Sequence, residues 1–303
     1  MKKIYNKLPL FILLALSLQG CAKLDQEPYV DLSEEKAFLN VEDAQYWVNG
    51  MYRSLRDNTY GNAMMSTDIQ ADFLNAVRRD NEKLPNLHRW TNFTSSDETT
   101  AAIWLAHFKA IHDINLSLRR IPTIPIEKDR EEVQKKQIKR NMGELYLGRA
   151  YFYTYLVTHF CGAYDASSAY GLPILREPKV ADFPAPSSLK ETYEFILSDI
   201  ALAEQYLSDT AGEVGSTTFT VDAAKALKAR VLLYQGEWAT AYQTAKALID
   251  AGTYPLASSS TALKAIWTED DTKESIVQVF ASATTTGNVS TVSELPKAND
   301  IYI

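Results

Sequence analysis

An all-α bundle of paired helices, with long loops and at most a short strand near the C-terminus, is the fold this sequence predicts. Three observations carry that expectation. Apolar residues recur at steps of three and four across much of the chain, the spacing that puts them on one helical face. Cap and stop residues cut those runs into helix lengths. Two of the resulting helix pairs also share a spacing of small and large residues where helices would cross.

The totals set the bounds. With 303 residues, 46% hydrophobic and 23% charged, the chain can bury a sizeable core in one large domain or two modest ones. Its 38 acidic residues outnumber 31 basic ones, for a formal charge of -7. An acidic chain without a basic stripe repels phosphates, which excludes nucleic-acid binding as its function.

Met1 to Gly20 has a basic start (Lys2, Lys3, Lys7), an apolar stretch from Leu8 to Leu18, and Gly20 before Cys21. The stretch is too short to cross a bilayer, so it reads as a secretion signal. Leu18-Gln19-Gly20-Cys21 resembles a bacterial lipobox, with Gln19 where a small residue is usual. That resemblance implies lipidation of the Cys21 thiol and cleavage before it. The alternative is an ordinary cleaved signal followed by an incidental cysteine. With Cys21 acylated, only Cys161 remains, so the fold must rest on its apolar core rather than on a disulfide.

Residues 21–32 read as a polar tether, and Ser33 as the cap of a short helix from Glu34. From Val41 to Asp57, Ala44, Trp47, Val48, Met51, Tyr52 and Leu55 share one face. Asn58 to Thr100 is the least regular part of the body, polar yet holding Tyr60, Phe73, Trp90 and Phe93. A third helix is expected from Asp97 to Ile121, ending before Pro122, with Trp104, Phe108, Ile111 and Leu118 inward. Glu127 to Tyr164 follows as one very long helix or two in line. Its first half, with Glu131 and Lys135, Glu132 and Lys136, Lys139 and Arg140, reads as a solvated face.

The second half of that run organises the rest. Leu145, Arg149, Phe152, Tyr153 and Leu156 form a broad face, Gly148 and Ala150 admit a neighbouring backbone, and Gly162 offers a left-handed stop. The prolines at 173, 178, 184 and 186 force an extended excursion over the surface. Ser188 and Glu191 then fit a capping box, opening a helix to about Leu207 with Tyr193, Ile196, Ile200 and Leu207 along one stripe. Thr220 caps Val221 to Gln235, Gly236 turns the chain, and Trp238 to Ala251 ends at Gly252. Ser275 to Phe280 reads as a short strand, and 281–303 as a polar tail.

The helix pairs have partial tetratricopeptide character. Ala229 and Leu232 occupy small and large crossing positions, with Ala241 and Ala245 on the second helix, and Gly148 and Tyr151 repeat the spacing. Along the chain, Trp104-Leu-Ala-His-Phe108 is followed by Ile111-His-Asp-Ile-Asn115, and Leu147-Gly-Arg-Ala-Tyr-Phe-Tyr153 leads to Gly171-Leu-Pro-Ile174. The blocks from Leu189 to Ile200 and from Ala224 to Tyr234 continue in order. Together with the lipobox and tether, this ordered set resembles the SusD/RagB-like family of outer-membrane lipoproteins.

The resemblance implies a tetratricopeptide-like fold at 33–280 and a lipid-anchored place on the outer membrane, facing outside the cell. It implies a non-enzymatic function: binding glycans or other polymeric nutrients for a partnered SusC-like TonB-dependent transporter. Family members are longer, so the resemblance implies that 281–303 is the truncated start of a C-terminal ligand-binding region. If so, the last helix pairs should expose apolar surface. The other reading is a helical-repeat scaffold lipoprotein holding a protein partner, with no nutrient ligand.

Site residues follow from the chemistry of sugars, whose apolar CH faces need flat aromatics and whose edges need planar hydrogen-bonding groups. The 58–100 segment supplies Trp90, Tyr60 and Phe93, with Asp72, Arg79 and Asn92. Trp90 fits a packed core as well as a stacking role, and Asp72 and Arg79 fit a surface ion pair as well as a ligand contact. Trp47 and Trp104 lie on periodic faces and are expected in the core. No nucleophile elbow, zinc-protease motif or phosphate loop occurs, so no catalytic residue and no cofactor are expected. His107 and His112 are five apart and diverge around a helix, so no metal site is expected either.

Overall fold

The computed structural model describes residues 34, 36–59, 62–76, 84–91, 94, 97–178, 184–269, 271–280 and 301–302. Two units divide the chain, Met1–Leu39 and Asn40–Ile303. In the first, the described residues form turns and bends; Cys21, the tether and Ser33 lie outside them. The second is all-α. Its helices are α1 (Val41–Thr59), α2 (Asn62–Gln70), α3 (Pro85–His88), α4 (Glu98–Arg120), α5 (Glu131–Phe160), α6 (Leu189–Tyr206), α7 (Val221–Gln235), α8 (Trp238–Ala251) and α9 (Ser260–Thr268). A two-residue bridge, β1 (Asn75–Ala76) with β2 (Ile301–Tyr302), pairs antiparallel with Asn75 opposite Tyr302.

Helix α5 is the axis, about 45 Å long at 1.5 Å per residue. It packs against α1, α4 and α6. Leu145, Phe152, Tyr153 and Leu156 are fully buried, as their spacing predicts. Glycines set how closely the neighbours approach. A Cβ on Gly148 would lie 2.7 Å from Met51 Sδ of α1, and one on Gly143 2.9 Å from Tyr206 Cβ of α6.

Arg149 sits in the same buried face and carries a charge into it. Its Nε and Nη2 donate to the two Asp199 carboxylate oxygens of α6, both at 2.7 Å, and Nη1 donates to Asn115 Oδ1 of α4 at 2.6 Å. Burial pushes the Asp199 carboxyl up, and the guanidinium opposes that shift. A second polar link runs from α1 to α5. The Tyr52 hydroxyl donates to Glu144 Oε2 at 2.8 Å and accepts from the Phe219 N–H at 2.6 Å.

Local signals hold at most helix ends. Ser188 and Glu191 form the expected capping box, Thr220 caps α7, and Gly236 and Gly252 adopt φ of 82° and 69°. Tyr193, Ile196, Ile200 and Leu207 are all buried.

Five expectations need correction. The 58–100 segment is not irregular throughout, since it holds α2 and α3. Helix α5 stops at Phe160, where extended Cys161 launches the excursion, and Gly162 is not left-handed. Arg140 is only partly solvated, because its Nε donates to buried Glu144 at 2.7 Å; Lys139 reaches Asp209. Trp47 and Trp104 are only half-buried, Trp104 packing its ring on Phe108 and Phe160 at the bundle end. Finally, 275–280 passes beside the Gly215–Ser216 turn without forming a regular strand, while an unexpected helix, α9, follows a Ser259 cap.

The excursion is stitched down more firmly than its prolines suggest. Leu172 is buried, its N–H donating to Thr192 Oγ1 at 3.0 Å. The Tyr153 hydroxyl donates to Pro173 O and accepts from the Leu175 N–H, and Asn115 Nδ2 donates to Leu175 O.

Candidate functional site

The short helices α2 and α3 make a small module with its own core. Met65 and Ile69 of α2 bury against Leu87 of α3, with Leu74 and Leu84 packed beside them. Tertiary burial, more than local propensity, makes this nine-residue polar stretch helical, because short isolated helices are marginal in water.

Aromatic rings hang the module on the bundle. His107 of α4 stacks on Tyr155 of α5 at 4.2 Å between centroids, and Tyr155 stacks on His159 at 3.9 Å. His159 Nε2 lies 3.1 Å from Thr67 Oγ1, and the Tyr155 hydroxyl donates to Ala63 O, both on α2. Burial drives the His107 pKa down to about 4 and lowers that of His159, so the column is neutral near pH 7. At the other end, Asn86 Nδ2 of α3 donates to Asp97, which caps α4. Hydrogen bonds from Thr100 hold the Asp97 carboxyl below its usual range.

Backbone strain concentrates here. Asp72, Leu84 and Trp90, at φ of 60°, 51° and 51°, are the non-glycine residues of positive φ among those described, and all three belong to this module. Leu84 precedes Pro85, whose ring disfavours the right-handed region before it. Trp90 closes α3. Its N–H donates to Leu87 O at 3.3 Å and the Thr91 N–H to Asn86 O at 3.0 Å, the paired bonds of a Schellman stop. That left-handed position normally takes glycine, and another residue there costs about 1–2 kcal/mol. The residue is nevertheless 63% exposed, so little burial offsets the strain. An exposed indole in a costly backbone conformation is not a core residue, and it makes Trp90 a candidate for ligand contact.

Of the residues expected at a site, the structure puts Asp72 and Trp90 on this module, Asp72 exposed two residues beyond α2 and Trp90 two beyond α3. Tyr60, Arg79, Asn92 and Phe93 lie outside the described residues. Phe73, passed over as a site residue, is also largely exposed beside Asp72. Its signal was an aromatic in a polar run. The neighbouring His88 has a buried Nδ1 without a hydrogen-bond partner. The exposed Trp90, Phe73 and Asp72 are the side-chain types that contact a neutral polyhydroxylated ligand, whereas the His88 Nδ1 is shut away from solvent.

A sequence profile described as SusD-like, starch-binding and associating with the outer membrane, matches residues 24–233. The chain is similar to SusD-like protein P38 of Formosa agariphila, 25% identical over 282 residues that cover 89% of this chain and 51% of the relative. It spans about half the length of the curated relatives it matches. Among solved structures it resembles in fold a SusD superfamily protein from Bacteroides thetaiotaomicron, with a TM-score of 0.71 and 24% identity over 82% of this chain and 55% of the other. It also resembles a laminarin-binding SusD-like protein, with a TM-score of 0.59 and 20% identity over 79% of this chain and 51% of the other.

Proposed function

The chain belongs to the SusD-like family, and from that premise we propose that it binds glycans or other polymeric nutrients at the cell surface. In this reading Cys21 carries a lipid that fastens the protein to the outer membrane, after a leader at 1–20 and before a tether at 21–32. The helical domain at 33–280 presents the ligand to a partnered SusC-like TonB-dependent transporter and performs no chemistry on it. The strained, exposed Trp90 carries the reading, because a sugar ring needs a flat apolar face held still. Tyr60, Phe93, Asp72, Arg79 and Asn92 complete the site, and 281–303 begins a C-terminal region that shares it.

Retention on an immobilised glucan panel tests this, with laminarin among the polymers because a relative of similar fold binds it. Trp90→Ala should lose retention while its circular dichroism is unchanged. Equal retention by wild type and variant removes Trp90 from the site.

One observation favours the scaffold reading. Trp238, Tyr242 and Ile249 form an exposed stripe along α8, where only Ala241 is buried. In the glycan reading that stripe seats the C-terminal region. A capture experiment with solubilised outer-membrane protein separates the two: a TonB-dependent barrel bound in the presence of glycan favours the first.

A further inference from the structure

A cavity of about 420 Å³ lies between α1, α5, α7 and the extended segment at 274–279, away from the α2–α3 module. Its floor is Leu55, Leu147, Ala223 and Leu227, all buried. Its outer wall is Ile276, Val277 and Val279. That wall is held in place by bonds from the Gly215 N–H to Ser275 O at 2.9 Å and from the Gln278 N–H to Ser216 O at 2.8 Å. Exposed Arg230 lines the cavity, one turn beyond Ala226 on α7, and has no hydrogen bond or ion pair among the described residues. Glu274, the other charge on the lining, is engaged by the Ala257 N–H.

Volume, walls and charge select the occupant. Ligand pockets run from roughly 300 to 1,000 Å³, apolar with a few placed polar groups, and this cavity falls in that range. Apart from Arg230, Glu274 and the Thr59 and Tyr151 hydroxyls, which bond to each other, the lining is apolar, so most hydroxyls of a sugar would go unbonded there at about 1–3 kcal/mol each. An alkyl chain gains about 0.8 kcal/mol per methylene buried there. We propose that this cavity binds a medium-chain fatty acid, its chain among the aliphatic side chains and its carboxylate against the Arg230 guanidinium.

Calorimetric titration of the full chain with decanoate and with decanol tests the assignment. Decanoate should bind saturably and several-fold more tightly than decanol. Arg230→Gln should remove that preference while leaving decanol binding unchanged, and Ala226→Phe should abolish both by filling the space. Val279→Phe, on the non-helical wall, serves the same purpose should Ala226→Phe fail to fold. Absence of saturable binding, or equal binding by a folded filled variant, overturns the proposal. So does a stable dimer that shields Val279, which would make the cavity an interface between copies.

Discussion

Removing the Asp199 carboxylate should unfold this protein more readily than almost any other single change. In Asp199→Ala, Arg149 keeps its bond to Asn115 but loses both bonds to the carboxylate, and its side chain is only 8% exposed. Phe195 and Tyr146, whose rings lie 5.0 and 5.5 Å from the guanidinium carbon, offer only partial compensation. An uncompensated buried charge of this kind costs about 3–5 kcal/mol, a large share of the roughly 5–15 kcal/mol that holds a domain together. The pair itself contributes much less. Arg149→Met with Asp199→Leu replaces two desolvated charges by apolar side chains and should fall within about 2 kcal/mol of wild type. Urea unfolding followed by circular dichroism, with m unchanged, reads both numbers. A loss below about 1 kcal/mol for Asp199→Ala would refute the burial argument. A double variant as unstable as Asp199→Ala alone would mean that attraction between the charges, not packing, joins α5 to α6.

Three further outcomes are expected. Gly143→Ala should destabilise despite a helix-propensity gain of about 1 kcal/mol, because its Cβ would meet Leu207 Cγ at 2.7 Å; a raised midpoint in urea contradicts this. Stability should fall as pH drops from 6.5 towards 4, because the unfolded chain protonates His107 at its ordinary pKa while the folded chain resists until about 4. That difference is worth about 3 kcal/mol, and His107→Gln should flatten the slope of stability against pH. Ser188→Ala removes the capping box of α6 and should cost about 1 kcal/mol by thermal melting; an unchanged midpoint counts against the cap.

Features that depend on residues a few positions apart were legible before the structure. The Ser188 and Glu191 box, the Gly236 turn and the Tyr193 to Leu207 stripe are each set within one or two helical turns. Features that depend on distant partners were not. Arg149 reads as one more member of an apolar face until Asp199, 50 residues on, arrives beside it. Helix α2 shows no clear stripe, and it is helical because Leu87 covers Met65 and Ile69. The aromatic content of 58–100 pointed to the candidate site, but the left-handed backbone at Trp90 is fixed by the Schellman bonds, which no spacing of residue types reveals. The cavity is hidden in the sequence for the same reason, being assembled from three helices and a loop far apart in the chain.

Replacing Trp90 by glycine tests the central claim most directly, since it separates the ring from the strain. Glycine takes a φ of 51° without penalty and the indole is mostly in water, so Trp90→Gly should melt at the wild-type temperature or slightly above. The same variant should lose its hold on the glucan that wild type retains. A folded Trp90→Gly protein that still holds the polymer, or one destabilised by 2 kcal/mol or more, would contradict the account.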